Sequence, residues 1–140
     1  SLSQQLLWLA SVAQSSGQND RSVAFWDQAA GLFEGIDLDA QGHRWAGNIW
    51  SGRVSAFPES ADRLQWLGHA RDHWVAAARL SPHEPRIALK LMDVSLDLGD
   101  SAGAEHWARR AIALHEQTRL DPLRGLNAAD LSRARQFAGE

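Results

Sequence analysis

Residues 70–114 read ARDHWVAAARLSPHEPRIALKLMDVSLDLGDSAGAEHWARRAIAL, and their spacing decides the fold. Ala70, Trp74 and Ala77 lie four and three residues apart, on one face of a helix that Pro82 brings to an end. Thirty-four residues later Ala104, Ala108 and Ala111 occupy the same register, with Glu116 at the position of Pro82. Between the two copies, Pro85 suits the first turn of a helix, where its missing N–H is not needed. Ala88, Leu91, Met92, Ser95 and Leu98 then form that helix's inward stripe. Gly99-Asp100 makes a turn, and Ser101 opens a helix to about Gln117 with Trp107, Ala108, Ala111 and Leu114 on or near its packed face. Small residues at fixed helical positions let neighbouring helices approach closely.

Upstream, Leu2 to Gln14 carries Leu6, Leu9, Ala10 and Ala13 at helical spacing. Gly17 is placed as a left-handed cap in the turn that follows, and Asp20 or Ser22 can cap a second helix to about Phe33. Ser22, Trp26, Ala29 and Glu34 fit the same register loosely. The middle departs from it, since Gly17 to Gly99 is not a whole number of repeats. Asp39 to Phe57 reads as one long helix with Ala46, Ile49, Trp50 and Phe57 on a face, weakened by Gly42, Gly47 and Gly52. Phe57-Pro58-Glu59-Ser60 stops it, and Ser60 can cap a helix to Leu80. Downstream, Leu120, Leu123 and Leu126 of an irregular segment are expected to fold back over exposed core. Asn127-Ala128-Ala129-Asp130 starts a last helix to Phe137.

This register resembles the tetratricopeptide (TPR) repeat. The resemblance implies one all-α domain over 1–140, a right-handed superhelix of antiparallel helix pairs. Its units are roughly 2–36, 39–82 and 85–117, with a cap over 118–140, about seven helices in all. In TPR proteins the first helix of each pair lines a concave groove that holds a peptide or a partner helix. By that resemblance Arg86, Leu89, Asp93 and Asp97 face the groove, with Gln4, Leu7 and Ser11 from the first unit. Arg44 and Asn48 resemble the basic-x3-Asn pair with which some TPR grooves clamp a carboxylate, although Asp93 and Asp97 have the wrong sign to complete that clamp. The run from Gly99 to Ala111 also resembles repeats in soluble tails of bacterial O-antigen polymerase- or ligase-like envelope proteins. A docking or regulatory role follows for such a tail, and a start at Ser1 rather than Met points to a processed or excised piece of something longer.

Composition narrows the function classes. Apolar residues make up 44% and charged residues 22% of the 140, which suits a packed domain rather than a disordered one. A net charge of −3 with scattered Arg and Lys argues against a nucleic-acid groove. The absence of cysteine excludes thiol catalysis and zinc-thiolate sites and suits either side of a bacterial envelope. No apolar run is long enough to span a bilayer, so membrane insertion by this segment is not expected.

Candidates for chemistry are few. His69 and His73 stand one turn apart, a spacing that lets two imidazoles share a metal, yet two ligands make a weak site. His106 and His115 add nothing at ligand spacing. No nucleophile elbow, phosphate loop or strand context accompanies the Ser, His and Asp residues. Asp93 and Asp97 share an exposed face with nothing apolar beside them to raise a pKa. Of seven Trp, Trp26 and Trp74 fall at core positions, Trp66 and Trp107 between pairs, and Trp45 and Trp50 on the glycine-interrupted helix. The reading is a non-catalytic scaffold for a peptide or protein partner, with no cofactor and no metal. Its alternatives are pairing of two copies through apolar surface near Trp45, Trp50 or Leu123, and a His-based metal binder or small enzyme.

Overall fold

The computed structural model describes residues 5, 8, 19–33 and 37–139. Among them are six α-helices and no strand: α1 Asn19–Gly31, α2 Ala40–Ala56, α3 Arg63–Leu80, α4 Pro85–Asp97, α5 Ser101–Glu116 and α6 Ala128–Phe137. A 3-10 turn, Pro122–Arg124, precedes α6. The expected first helix lies outside the described residues except for Gln5 and Trp8, both helical. Consecutive helices pack as a TPR-like stack: α2 pairs with α3 and α4 with α5 most extensively, while α3 against α4 and α5 against α6 join the units.

Local chemistry sets the boundaries. Asp39 accepts from the Gly42 N–H at 2.7 Å, Asp100 from Gly103 at 2.9 Å and Asn127 from Asp130 at 2.8 Å. Each carboxylate or amide thereby satisfies a donor that the first turn of its helix leaves free. Gly99 takes φ +76°, the left-handed turn that ends α4 and feeds the Asp100 cap. Two expected caps differ. Asp20 and Ser22 lie inside α1, which begins by Asn19. Ser60 accepts from the Asp62 N–H at 3.2 Å, within the turn, and Asp62 stands at the N-cap of α3 without a side-chain bond.

The thirty-four-residue register is the core itself. Ala70, Trp74 and Ala77 of α3 and Ala104, Ala108 and Ala111 of α5 are all buried. Trp107 packs against both the cluster around Trp74 and Leu91 and the cluster around Ala108 and Met92. Trp50 of α2, partly buried, touches three clusters and so ties together α1, α2, α3 and α4.

The glycines of α2 are contact points. A Cβ on Gly47 would lie 2.6 Å from the buried Trp74 indole, and one on Gly52 would lie 2.7 Å from the Trp26 ring. Each indole therefore rests directly on helix backbone, and helix propensity is given up for close approach. Arg53 completes this layer. It is buried with its guanidinium 4.4 Å from the Trp66 ring centre and 5.6 Å from that of Trp50, and it pairs with Asp27 of α1.

The segment before α6 corrects one expectation. Leu126 is buried at 7% exposure, but Leu120 and Leu123 stand 101% and 85% exposed. The segment is tied down by polar bonds instead. His115 Nδ1 accepts from the Leu126 N–H at 2.9 Å, and Thr118 donates to the His115 carbonyl at 2.6 Å. With these anchors, one leucine suffices to close the core below α6.

Candidate functional site

On α4 the side chains on the solvent side form one stripe: Arg86, Lys90, Asp93 and Asp97, spaced four, three and four residues apart. Leu89 falls off it. At 6% exposure it packs with Met92 and Ala108 and cannot meet a ligand, while Lys90, one residue on, takes the exposed place. On α2, Asn48 is exposed and Arg44 half-buried one turn before it. Gln4, Leu7 and Ser11 lie outside the described residues.

Two of the α4 residues are already engaged. Arg86 donates to the Leu123 carbonyl at 3.1 Å, holding the turn before α6 against the start of α4. Asp93 pairs with Arg133 of α6, whose guanidinium also lies 3.8 Å from Asp130. Asp97 differs from the expectation of a plainly solvated carboxylate. Partial burial pushes its pKa up and the Asp93 charge adds to this, while Arg63 at the start of α3 opposes both. The stripe is thus bipolar, with cations near the start of α4 and carboxylates near its end.

His69 and His73, one turn apart on α3, turn to different partners. His69 stacks on Trp50 with ring centres 4.5 Å apart, and His73 turns to His43 of α2, Nδ1 to Nδ1 at 3.0 Å. At that distance one ring donates its proton and the other accepts. Burial, then the His43 and His69 charges, lower the His73 pKa against the opposing pull of Asp72. Among the described residues no group of three or more His, Asp or Glu is arranged to hold a metal. None of the described helices is long and apolar enough to cross a membrane.

A cavity of about 350 Å³ opens elsewhere, between α3, α5 and the loop that leads into α4. The sequence reading passed over it because its lining residues, among them Ala78, Ala88 and Trp107, match ordinary packing positions. The unpatterned signal was Arg79 and Arg110, two cations on the second helices of successive pairs.

No protein-family model matches the chain, and no curated protein matches it. Its fold is similar to that in the crystal structure of PcrH in complex with the chaperone binding region of PopB. The TM-score is 0.56 at 22% sequence identity, with 96% of this chain and 93% of that chain covered. A likeness at this identity is one of fold, and it reinforces the TPR-like reading over nearly the whole chain.

Proposed function

We propose that this chain is a non-catalytic scaffold that binds an extended peptide or partner segment across the polar stripe of α4 and the Arg44–Asn48 face of α2. The observation that carries the reading is the fold's likeness to PcrH, which was crystallised with a segment of another protein. The bipolar stripe supports it, since a row of charges spaced along rigid helices can fix the register of a peptide that carries both signs. Arg44, Asn48, Arg86, Lys90, Asp93 and Asp97 are the contact residues in this reading, with Leu89 beneath them as support. A setting as the soluble module of a larger bacterial membrane protein rests on the Gly99–Ala111 run alone. Exposed Leu120 and Leu123 favour one competing reading, pairing of two copies through the turn before α6. Light scattering of the chain at high concentration separates the two, because the scaffold reading expects a monomer.

The test is a random peptide display library panned against the immobilised chain. An enriched peptide, fluorescein-labelled, is then titrated by anisotropy. Asn48→Arg and Lys90→Glu weaken it on the order of tenfold each. If no enriched peptide responds to either substitution, the placement of the site is overturned.

A further inference from the structure

The cavity between α3 and α5 lies on the second helices of the pairs, away from the α4 stripe. Its apolar wall is built from Val75, Trp107 and Leu114, and Arg79 and Arg110 are among its lining residues with Glu84. At about 350 Å³ it falls within the lower range of ligand-binding pockets, roughly 300–1,000 Å³. Arg110 donates to the Pro82 carbonyl at 3.1 Å, which holds its guanidinium at the loop entering α4. Arg79 is exposed and takes part in no ion pair among the described residues. A second hollow adjoins the first across Ser81, Pro82 and Glu84, and Arg124 and the exposed Leu80 line it. Three arginines and one glutamate therefore line a trough of two adjoining hollows, the first mainly apolar and the second mainly polar, on a chain whose net charge is −3.

We infer that this trough is a second docking site, one that takes an acidic peptide segment of a partner protein with a bulky apolar anchor. The anchor enters the cavity against Trp107 and Leu114, and its carboxylate neighbours meet Arg79, Arg110 and Arg124. Charge complementarity selects this occupant. A basic segment would meet three cations, and a purely apolar one would leave the arginines unused. Trp107 also packs into two core clusters, which holds the apolar wall of the cavity in place. Lys90, Asp93 and Asp97 of the α4 stripe line neither hollow, so either site can fail alone.

The probe is a fluorescein-labelled synthetic peptide of Asp and Glu around a single central Phe, with a Lys-for-acid peptide as control. Anisotropy is measured on the whole chain at low and high salt. The expected result is binding of the acidic probe only, weakened by salt, and weakened on the order of tenfold by Arg79→Glu. Ala78→Phe, which fills the cavity, abolishes it, while Gln136→Ala at an exposed position of α6 changes nothing. Amide shift mapping on the unaltered chain keeps the test decisive should a variant misfold, and the strongest shifts are expected at Val75–Arg79 and Trp107–Arg110. Equal binding of both peptides, no binding of the acidic one, binding by pairing of chains at the trough, or shifts confined to α2 and α4 each overturn the inference.

Discussion

Replacing Gly47 with alanine tests the packing account where helix propensity and tertiary contact disagree in sign. Inside a helix, Gly→Ala is worth about 0.5–1 kcal/mol of stabilisation. At Gly47 the added carbon would stand 2.6 Å from Trp74 Cε2, 2.7 Å from Nε1 and 2.9 Å from Cδ2. These atoms belong to a rigid ring at 2% exposure, so the neighbour cannot swing away. Overpacking of this kind costs about 1–3 kcal/mol, which offsets the propensity gain and leaves a net destabilisation of up to about 2.5 kcal/mol. Gly68 in α3 is the internal control, because a Cβ there meets nothing within 4 Å. Gly68→Ala should therefore stabilise by up to about 1 kcal/mol, opposite in sign. Urea unfolding followed at 222 nm reads both variants without relying on indole fluorescence. Trp74→Leu in the Gly47→Ala background should cost less than in the parent by on the order of 1 kcal/mol, since it removes the clash as well as the ring. If Gly47→Ala matches Gly68→Ala in sign and size, the indole does not rest on the α2 backbone and the reasoning fails.

The Arg53 layer should be costlier to break from its buried side. Arg53→Ala is expected to destabilise by about 2–3 kcal/mol through lost packing on Trp66 and Trp50, and Asp27→Asn by under about 1 kcal/mol, both by urea unfolding. Acid should weaken the α2–α3 contact: the His73 pKa is lowered in the folded chain, so the unfolded chain takes up more protons below the ordinary value of 6.5. Stability from this source is complete above that pH and lost as pH falls through and below it, and His73→Gln should flatten that part of a melting-temperature profile. Leu126→Ala should cost about 2–4 kcal/mol, whereas Leu120→Ser and Leu123→Ser should stay within about 0.5 kcal/mol, as thermal melts would show.

The fold was legible because its signal is local. Ala70, Trp74, Ala77 and their counterparts at 104, 108 and 111 carry both helical period and repeat spacing, and all six are buried as that pattern requires. Asp39, Asp100 and Asn127 mark helix starts through short-range bonding, and Pro85 marks one through the N–H it lacks. What could not be read depends on partners remote in sequence. Gly47 and Gly52 look like helix breakers until Trp74 and Trp26 are set upon them. Arg53 reads as a surface cation, because nothing near it in the chain announces Asp27 and two indoles. Leu120 and Leu123 sit in a segment with no period, so hydrophobicity gave no direction. In the candidate site the error was a rotation: Leu89 and Lys90 are adjacent, and the exact phase of α4 decides which one meets solvent. The cavity near Trp107 was invisible for a similar reason, being a gap between residues that each obey the core pattern.

Amide chemical-shift mapping with a peptide enriched by panning tests the scaffold reading most directly. The account predicts that the largest shifts run along Arg44 to Asn48 of α2 and Arg86 to Asp97 of α4, and that they saturate with one peptide per chain. Shifts absent from both helices, with the peptide nonetheless bound, would contradict it.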